Sequence, residues 1–351
     1  MKKTAFALLL AAGSLAMVSC SQEDDITVNQ GNKIEFRPAL SRATETNNSN
    51  LSDITVAGFL GDDLYFRPTV FAKDGSFFVS SSDYYWPGDD SEVSFYAYAP
   101  STLAGVTIDK TTKTLADFSP ATSIADQVDF ITANATGKKS ENESAGVPLT
   151  FDHRLAQIEV RGKTSNENYV FKVTGIRIGQ PVSTGSFDFT TDAWTLGTTK
   201  AIYESDIDEV TLSEPAEGEP AASLMGDAGN AMLLPQQLTA WDPVNDDANA
   251  NAGAYISVKL QITTADTGVQ IYPFPSDGNC QWAAIPVSTN WEAGKKYIYT
   301  LDFSHGAGYV DPHDPTPGTP VLGGPIKFTV TVTDWVDTPQ DLDMKTSSDS
   351  E

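Results

Sequence analysis

Few residues in this chain are equipped for chemistry. Three histidines and two cysteines stand among 351 residues. A nucleophilic Ser or Cys needs a positioned base beside it, and neither a Gly-x-Ser-x-Gly elbow nor a phosphate-cradling glycine loop occurs. Cys280 lies in the turn-like run Asp277-Gly278-Asn279-Cys280. His305 and His313 share a Pro-rich stretch with Asp311 and Asp314. That is poor support for zinc, whose ligands converge at defined spacing. Asp246-Asp247 and Asp206-Ile207-Asp208-Glu209 offer oxygen ligands for calcium, but without EF-hand spacing. Paired carboxylates could hydrolyse a glycoside, yet 47 acidic residues supply many pairs and no local signature selects one. His153, in Phe151-Asp152-His153-Arg154-Leu155, reads as a structural residue just ahead of a strand. The expectation is a protein that is not an enzyme, with no metal site and no cofactor.

Binding chemistry has two other sources, aromatics and charge. Tyr84-Tyr85-Trp86-Pro87, Trp194, Trp241 and Trp282 could form sugar-stacking platforms, although aromatics more often fill cores. A surface protein that captures glycans through them is the alternative function. The 22 basic and 47 acidic residues give a net charge of −25. That balance excludes a general nucleic-acid binder, which needs a basic face to displace counterions. It also opposes electrostatic docking on anionic lipid. With 40% hydrophobic and only 20% charged residues, the chain has ample material for a packed core.

The N-terminus bears on location. Lys2 and Lys3 precede an apolar stretch from Ala5 to Met17, too short to span a bilayer, which reads as a secretory signal. Met17-Val18-Ser19-Cys20 closes it and resembles the bacterial lipobox, with Met17 departing from the usual Leu. The resemblance implies residues 1–19 as a cleaved signal peptide and diacylation of Cys20. Several acyl chains hold a protein to a bilayer far better than one. Ser21-Gln22-Glu23-Asp24-Asp25 then resembles the surface-export signal of Bacteroidota lipoproteins. Loss of residues 1–19 removes two lysines and no acid, which leaves a charge of −27. Cys280 is then the only remaining thiol, so no internal disulfide is available and the core must hold the fold.

The body reads as short strands. Apolar and polar residues alternate from Val93 to Ala99, Ile256 to Ile262, Tyr297 to Phe303 and Ile326 to Val332. In the run from Val170 to Ile178 the apolar parity switches at Gly175, which predicts a bulge. Ala201 to Val210 is the stretch that best suits a short helix. Frequent turn signals, such as Lys73-Asp74-Gly75 and Ala293-Gly294-Lys295, argue for antiparallel sandwiches rather than a βαβ fold. The length suits two domains, divided in the polar run Lys163–Asn168: residues 46–165 and 166–335, followed by a polar tail at 336–351.

Several segments in order resemble the Bacteroidota fimbrillin-like lipoproteins, subunits of the type V pilus system. They are Ile34-Glu35-Phe36, Ser41-Arg42-Ala43-Thr44, Tyr84-Tyr85-Trp86-Pro87 and Val93 to Pro100. Pro148 to Ala156, Trp291 to Tyr299 and Phe328 to Trp335 follow. The resemblance implies an all-β fold of two tandem transthyretin-like antiparallel β-sandwiches. It implies a fimbrial subunit or accessory (tip or anchor) protein, exported to the outer membrane as a surface lipoprotein and partnered by other fimbrial subunits. Host or bacterial surface ligands would be the targets of adhesion. It further implies proteolytic trimming after Arg42, within a tether and removable strand at residues 20–45 that carries Ile34 and Phe36. Losing that strand would expose unpaired backbone groups, which a strand from another subunit can pair. By pattern the donor is Ile326, Phe328, Val330 and Val332, four inward side chains at about 1.5–3 kcal/mol each.

Overall fold

A computed structural model describes residues 33–40, 51–244 and 253–335, and their regular secondary structure is almost all strand. Seven strands close a barrel: β1 (Phe36–Leu40), β2 (Asp53–Leu60), β3 (Asp63–Asp74), β4 (Phe77–Ser80), β5 (Val93–Ala99), β8 (Ile131–Gly137) and β9 (Val147–His153). Their order is β1-β4-β3-β2-β5-β8-β9, and β1 closes the ring between β4 and β9. Period-2 patterning builds it. Val93, Phe95 and Ala97 of β5 and Val147, Leu149 and Phe151 of β9 all point into one core.

The remainder forms two larger sheets around a second core. One has the order β15-β10-β22-β24, from β15 (Ala222–Ser223), β10 (Ala156–Lys163), β22 (Lys295–Asp302) and β24 (Lys327–Asp334), with β16 (Ala231–Leu233) also on β10. The other has the order β14-β11-β18-β20-β23, from β14 (Lys200–Thr211), β11 (Tyr169–Val182), β18 (Tyr255–Thr264), β20 (Gln281–Pro286) and β23 (Tyr309–Val310). Here β19 (Gln270–Tyr272) pairs with β18, while β17 (Gln236–Gln237) and β21 (Asn290–Trp291) form a separate small pair. A further sheet, β13-β12-β7-β6, draws β6 (Val106–Ile108) and β7 (Lys113–Phe118) from the first half and β12 (Gly185–Asp188) and β13 (Ala193–Leu196) from the second. Phe118, Phe130, Phe187 and Phe189 pack together there, in a joint core between the two halves.

Four features differ from the expectations or refine them. The stretch Ala201–Val210 is not helical but forms most of β14, whose ladder to β11 overrides weak local preference. Strand pairing is not purely antiparallel, because β1 runs parallel to β9 and β10 parallel to β22. Sheet membership changes between His153 and Ala156, ahead of the Lys163–Asn168 run, since β10 already pairs with β22. The bulge expected at Gly175 is present: both ladders of β11 shift register between Val173 and Gly175.

Candidate functional site

The closing strand of the barrel is short and held on both sides. β1 lies parallel to β9 in the register Phe36↔Val147 through Leu40↔Phe151, and pairs with β4 at Phe36↔Phe78. The Ile34 N–H donates to the Tyr84 carbonyl at 2.8 Å, and the Val147 N–H donates to the Glu35 carbonyl at 2.9 Å. Ile34 and Phe36 are buried in the barrel core. The Phe36 ring sits edge-on to Phe71 at 4.9 Å and to Phe95 at 5.0 Å. Gly146 makes room for β1 beside β9. Its φ is +68°, and a Cβ there would stand 2.9 Å from the Phe77 ring and 3.3 Å from the Glu35 carbonyl oxygen. Outside, Lys33 pairs with Asp83 at 2.7 Å across a solvated surface, worth little.

β24 is the counterpart at the opposite end of the chain. Among the described residues it pairs only with β22, from Lys295↔Asp334 to Asp302↔Lys327, and forms the edge of its sheet. Phe328, Val330 and Val332 face the same side as Leu301, Tyr299 and Tyr297, their register partners on β22. Burial of all four donor side chains does not follow. Ile326 is buried and Val330 half-buried, but Phe328 is 37% exposed and Val332 51% exposed. An edge strand has no neighbour on its far side to cover them.

Where β24 ends, the halves of the molecule meet. The Trp335 N–H donates to the Gly294 carbonyl at 2.9 Å. Its indole is buried and stacks on His153, with ring centroids 4.0 Å apart and planes at 20°. His153 Nδ1 lies 2.7 Å from Asp129 Oδ2, and both side chains are buried. His153 is thus the structural residue its place in the sequence suggests. Arg154 fastens the same joint: Nε donates to Thr132 Oγ1 at 2.6 Å, and the guanidinium pairs with Asp192 at 2.9 Å.

Most of the remaining candidates are absorbed into packing, although Tyr85 stays 50% exposed. Trp241 is buried, and the Trp194 indole N–H donates to the Arg154 carbonyl at 2.7 Å within the joint core. Trp86 is buried against Phe95, and Tyr84 stacks on Phe66. Trp282 is partly exposed, but the Arg177 guanidinium covers its ring at 4.2 Å. The glycan alternative therefore loses its platforms at Trp194 and Trp241. Asp311 is fully buried and accepts from Ser257 Oγ and from Arg177 at 3.2 Å, which makes it a counter-ion. His313 Nδ1 is 3.4 Å from Asp311 and 2.9 Å from the Tyr255 hydroxyl. Asp206 pairs with Lys259 at 3.0 Å. Among the described residues no group of three or more His, Cys, Asp or Glu could hold a metal ion. Cys20, Arg42 and Asp246-Asp247 lie outside the described residues. Asp129 had no signal in the sequence, because it meets His153 only through the fold.

Solved structures share this architecture. A fimbrial protein from Bacteroides vulgatus superposes with a TM-score of 0.56 at 15% identity, covering 86% of this chain and 99% of that one. A candidate cell adhesion protein from Bacteroides ovatus gives a TM-score of 0.51 at 16% identity, covering 88% and 99%. At such identities the likeness establishes the fold alone. No curated protein sequence matches the chain. The fimbrillin-like family model matches residues 25–335, nearly the whole chain. The chain belongs to the fimbrillin-like family.

Proposed function

We propose that the protein is a structural or accessory subunit of a cell-surface fimbria that assembles by exchanging β1 for a β24 strand from another copy. In this reading it is exported as a lipoprotein on Cys20 and held at the outer membrane. It is trimmed after Arg42 and takes part in adhesion rather than catalysis. Its two halves act as the transthyretin-like units of such subunits, the second carrying the donor strand.

One correspondence carries the reading. Ile34-Glu35-Phe36-Arg37-Pro38-Ala39-Leu40 and Ile326-Lys327-Phe328-Thr329-Val330-Thr331-Val332 place apolar residues at the same spacing, with Ile and Phe in the same first two positions. β24 laid along β9 in the register of β1 would bring Phe328 to the cage between Phe71 and Phe95. Phe328 is more than one-third exposed in its own sheet, so the move gains roughly 1 kcal/mol of burial. Pro38 has no backbone N–H, whereas Val330 in its place has one, worth about 0.5–1.5 kcal/mol if paired. β24 also passes from a site with one neighbouring strand to a site with two.

Cleavage of the full chain by an Arg-specific protease tests this. Mass spectrometry should place the cut after Arg42, and SDS-resistant oligomers should follow. A trimmed product that stays monomeric at high concentration rejects strand exchange. Cys20→Ala should abolish membrane retention, and retention in that variant rejects the lipoprotein step.

A further inference from the structure

We infer that Trp335 is a latch that fastens β24 to the end of β9, so that loss of β1 loosens the donor strand of the same subunit. The inference rests on the reading of β24 as the donor. From Lys327 to Asp334 only Val330 is better than exposed. The strand is instead pinned at its ends, by Ile326 and Trp335, which are 5% and 3% exposed. The two pins differ. Ile326 packs in the core of its own half, but Trp335 reaches into the joint core with Leu155, Met232 and Leu234.

The receiving surface is built to hold one ring. Asp129 Oδ2 stands 2.7 Å from His153 Nδ1, a close approach without hydrogen-bond geometry, and among the described residues no other donor reaches the carboxylate. His153 in turn lies flat under the indole. The hold is also incomplete, because among the described residues the buried Trp335 indole N–H finds no acceptor. A buried unpaired donor is a standing cost that release into water relieves. The clamp is therefore firm in geometry, and the unpaired donor lowers the cost of opening it.

Its position links the two ends of the chain. His153 is the last residue of β9, and Leu40 of β1 pairs with Phe151, two residues earlier. Removing β1 strips β9 of its parallel partner and leaves it paired only with β8, at Ile131↔His153 and Thr132↔Asp152. The residue under Trp335 then stands on a strand that has lost one side of its support. One cut would in this way open an acceptor groove and free a donor.

Hydrogen exchange on the full-length chain tests the latch. In Trp335→Ala the amides of β24 should exchange roughly a hundredfold faster, while those of β11 and β18 stay as in the wild type. Asp129→Asn should move β24 in the same direction by less. Trp335→Phe, which keeps a ring on His153, should restore most of the protection and separates the latch from a general loss of packing. Wild type trimmed after Arg42 should, while still monomeric, show the same local loosening as Trp335→Ala. Unchanged β24 protection in Trp335→Ala, or in the trimmed chain, overturns the inference. If β24 loosens in both and no oligomer ever forms, the latch stands and the donor reading falls. If oligomers form from trimmed chains whose β24 stayed protected while they were still monomeric, the latch falls alone.

Discussion

Phe36 is the side chain on which closure of the barrel depends, and truncating it gives the most informative stability measurement. The ring is fully buried and meets Phe71 and Phe95 edge-on at 4.9 and 5.0 Å. Phe→Ala in a core costs about 3–5 kcal/mol, because transfer energy is lost and a cavity is left. Two edge-to-face contacts push this case toward the upper end. Little relaxation is available, since β1 is tied to β4 and β9 at this residue. Denaturant unfolding followed by tryptophan fluorescence is the assay, with Trp86, 6.0 Å from Phe95, reporting the same core. The matched control is Phe328→Ala in the unassembled chain. Its ring is 37% exposed on an edge strand, so the loss should be under about 2 kcal/mol. A Phe36→Ala cost below about 1 kcal/mol, or one no larger than that of Phe328→Ala, would refute the assignment of β1 as the closing strand.

Other expectations are open to test. Gly146→Ala should destabilise the barrel by about 1–3 kcal/mol, because φ is +68° and the new Cβ would press on the Phe77 ring. Burial alone would raise the Glu159 pKa, but Arg161 and Lys296, the latter at 2.6 Å, outweigh it and hold the carboxyl below its usual value. Its contribution is thus present above the unfolded carboxylate pKa and lost as pH falls through the lowered one. Glu159→Gln should cost about 1–3 kcal/mol at neutral pH, with the gap to wild type closing in acid. Burial lifts the Tyr299 hydroxyl to about 12 and raises Tyr203, Tyr255 and Tyr272 as well. Unfolded tyrosines ionise first, so stability should fall as pH rises above about 10, in an alkaline melt read by phenolate absorbance. Phe328→Ala should leave the precursor folded yet suppress SDS-resistant oligomers after trimming, whereas Lys327→Ala should not.

Period-2 patterning made the strands legible, and at Gly175 it showed even the bulge. It gives a side chain's face and says nothing of its neighbours. Phe328 and Val332 do point to the core side of their sheet, yet they stay exposed because β24 is at the edge, a fact of topology. The stretch 201–210 misled for a related reason. Its outer residues are polar on both parities, so only pairing with β11 reveals a strand. The aromatics behave alike in sequence whether they fill a core or face solvent, so Trp241 and Trp194 could not be told from platforms. Closure of the barrel was hidden by distance, since Phe36 meets Val147 in a parallel ladder that no turn signal announces. Asp129 meets His153 only where β8 and β9 pair, and Trp335 meets it only when the halves pack.

The central claim is that a β24 strand from another copy can take the place of β1. Adding a synthetic peptide of residues 325–335 to the chain trimmed after Arg42, with native mass spectrometry and hydrogen exchange as readouts, tests it most directly. Strand exchange predicts one peptide per chain, renewed protection of the amides of β4 and β9, and loss of binding when Phe328 of the peptide is replaced by Ala. A trimmed chain that ignores the peptide, or that binds the Ala-substituted peptide equally well, would contradict it.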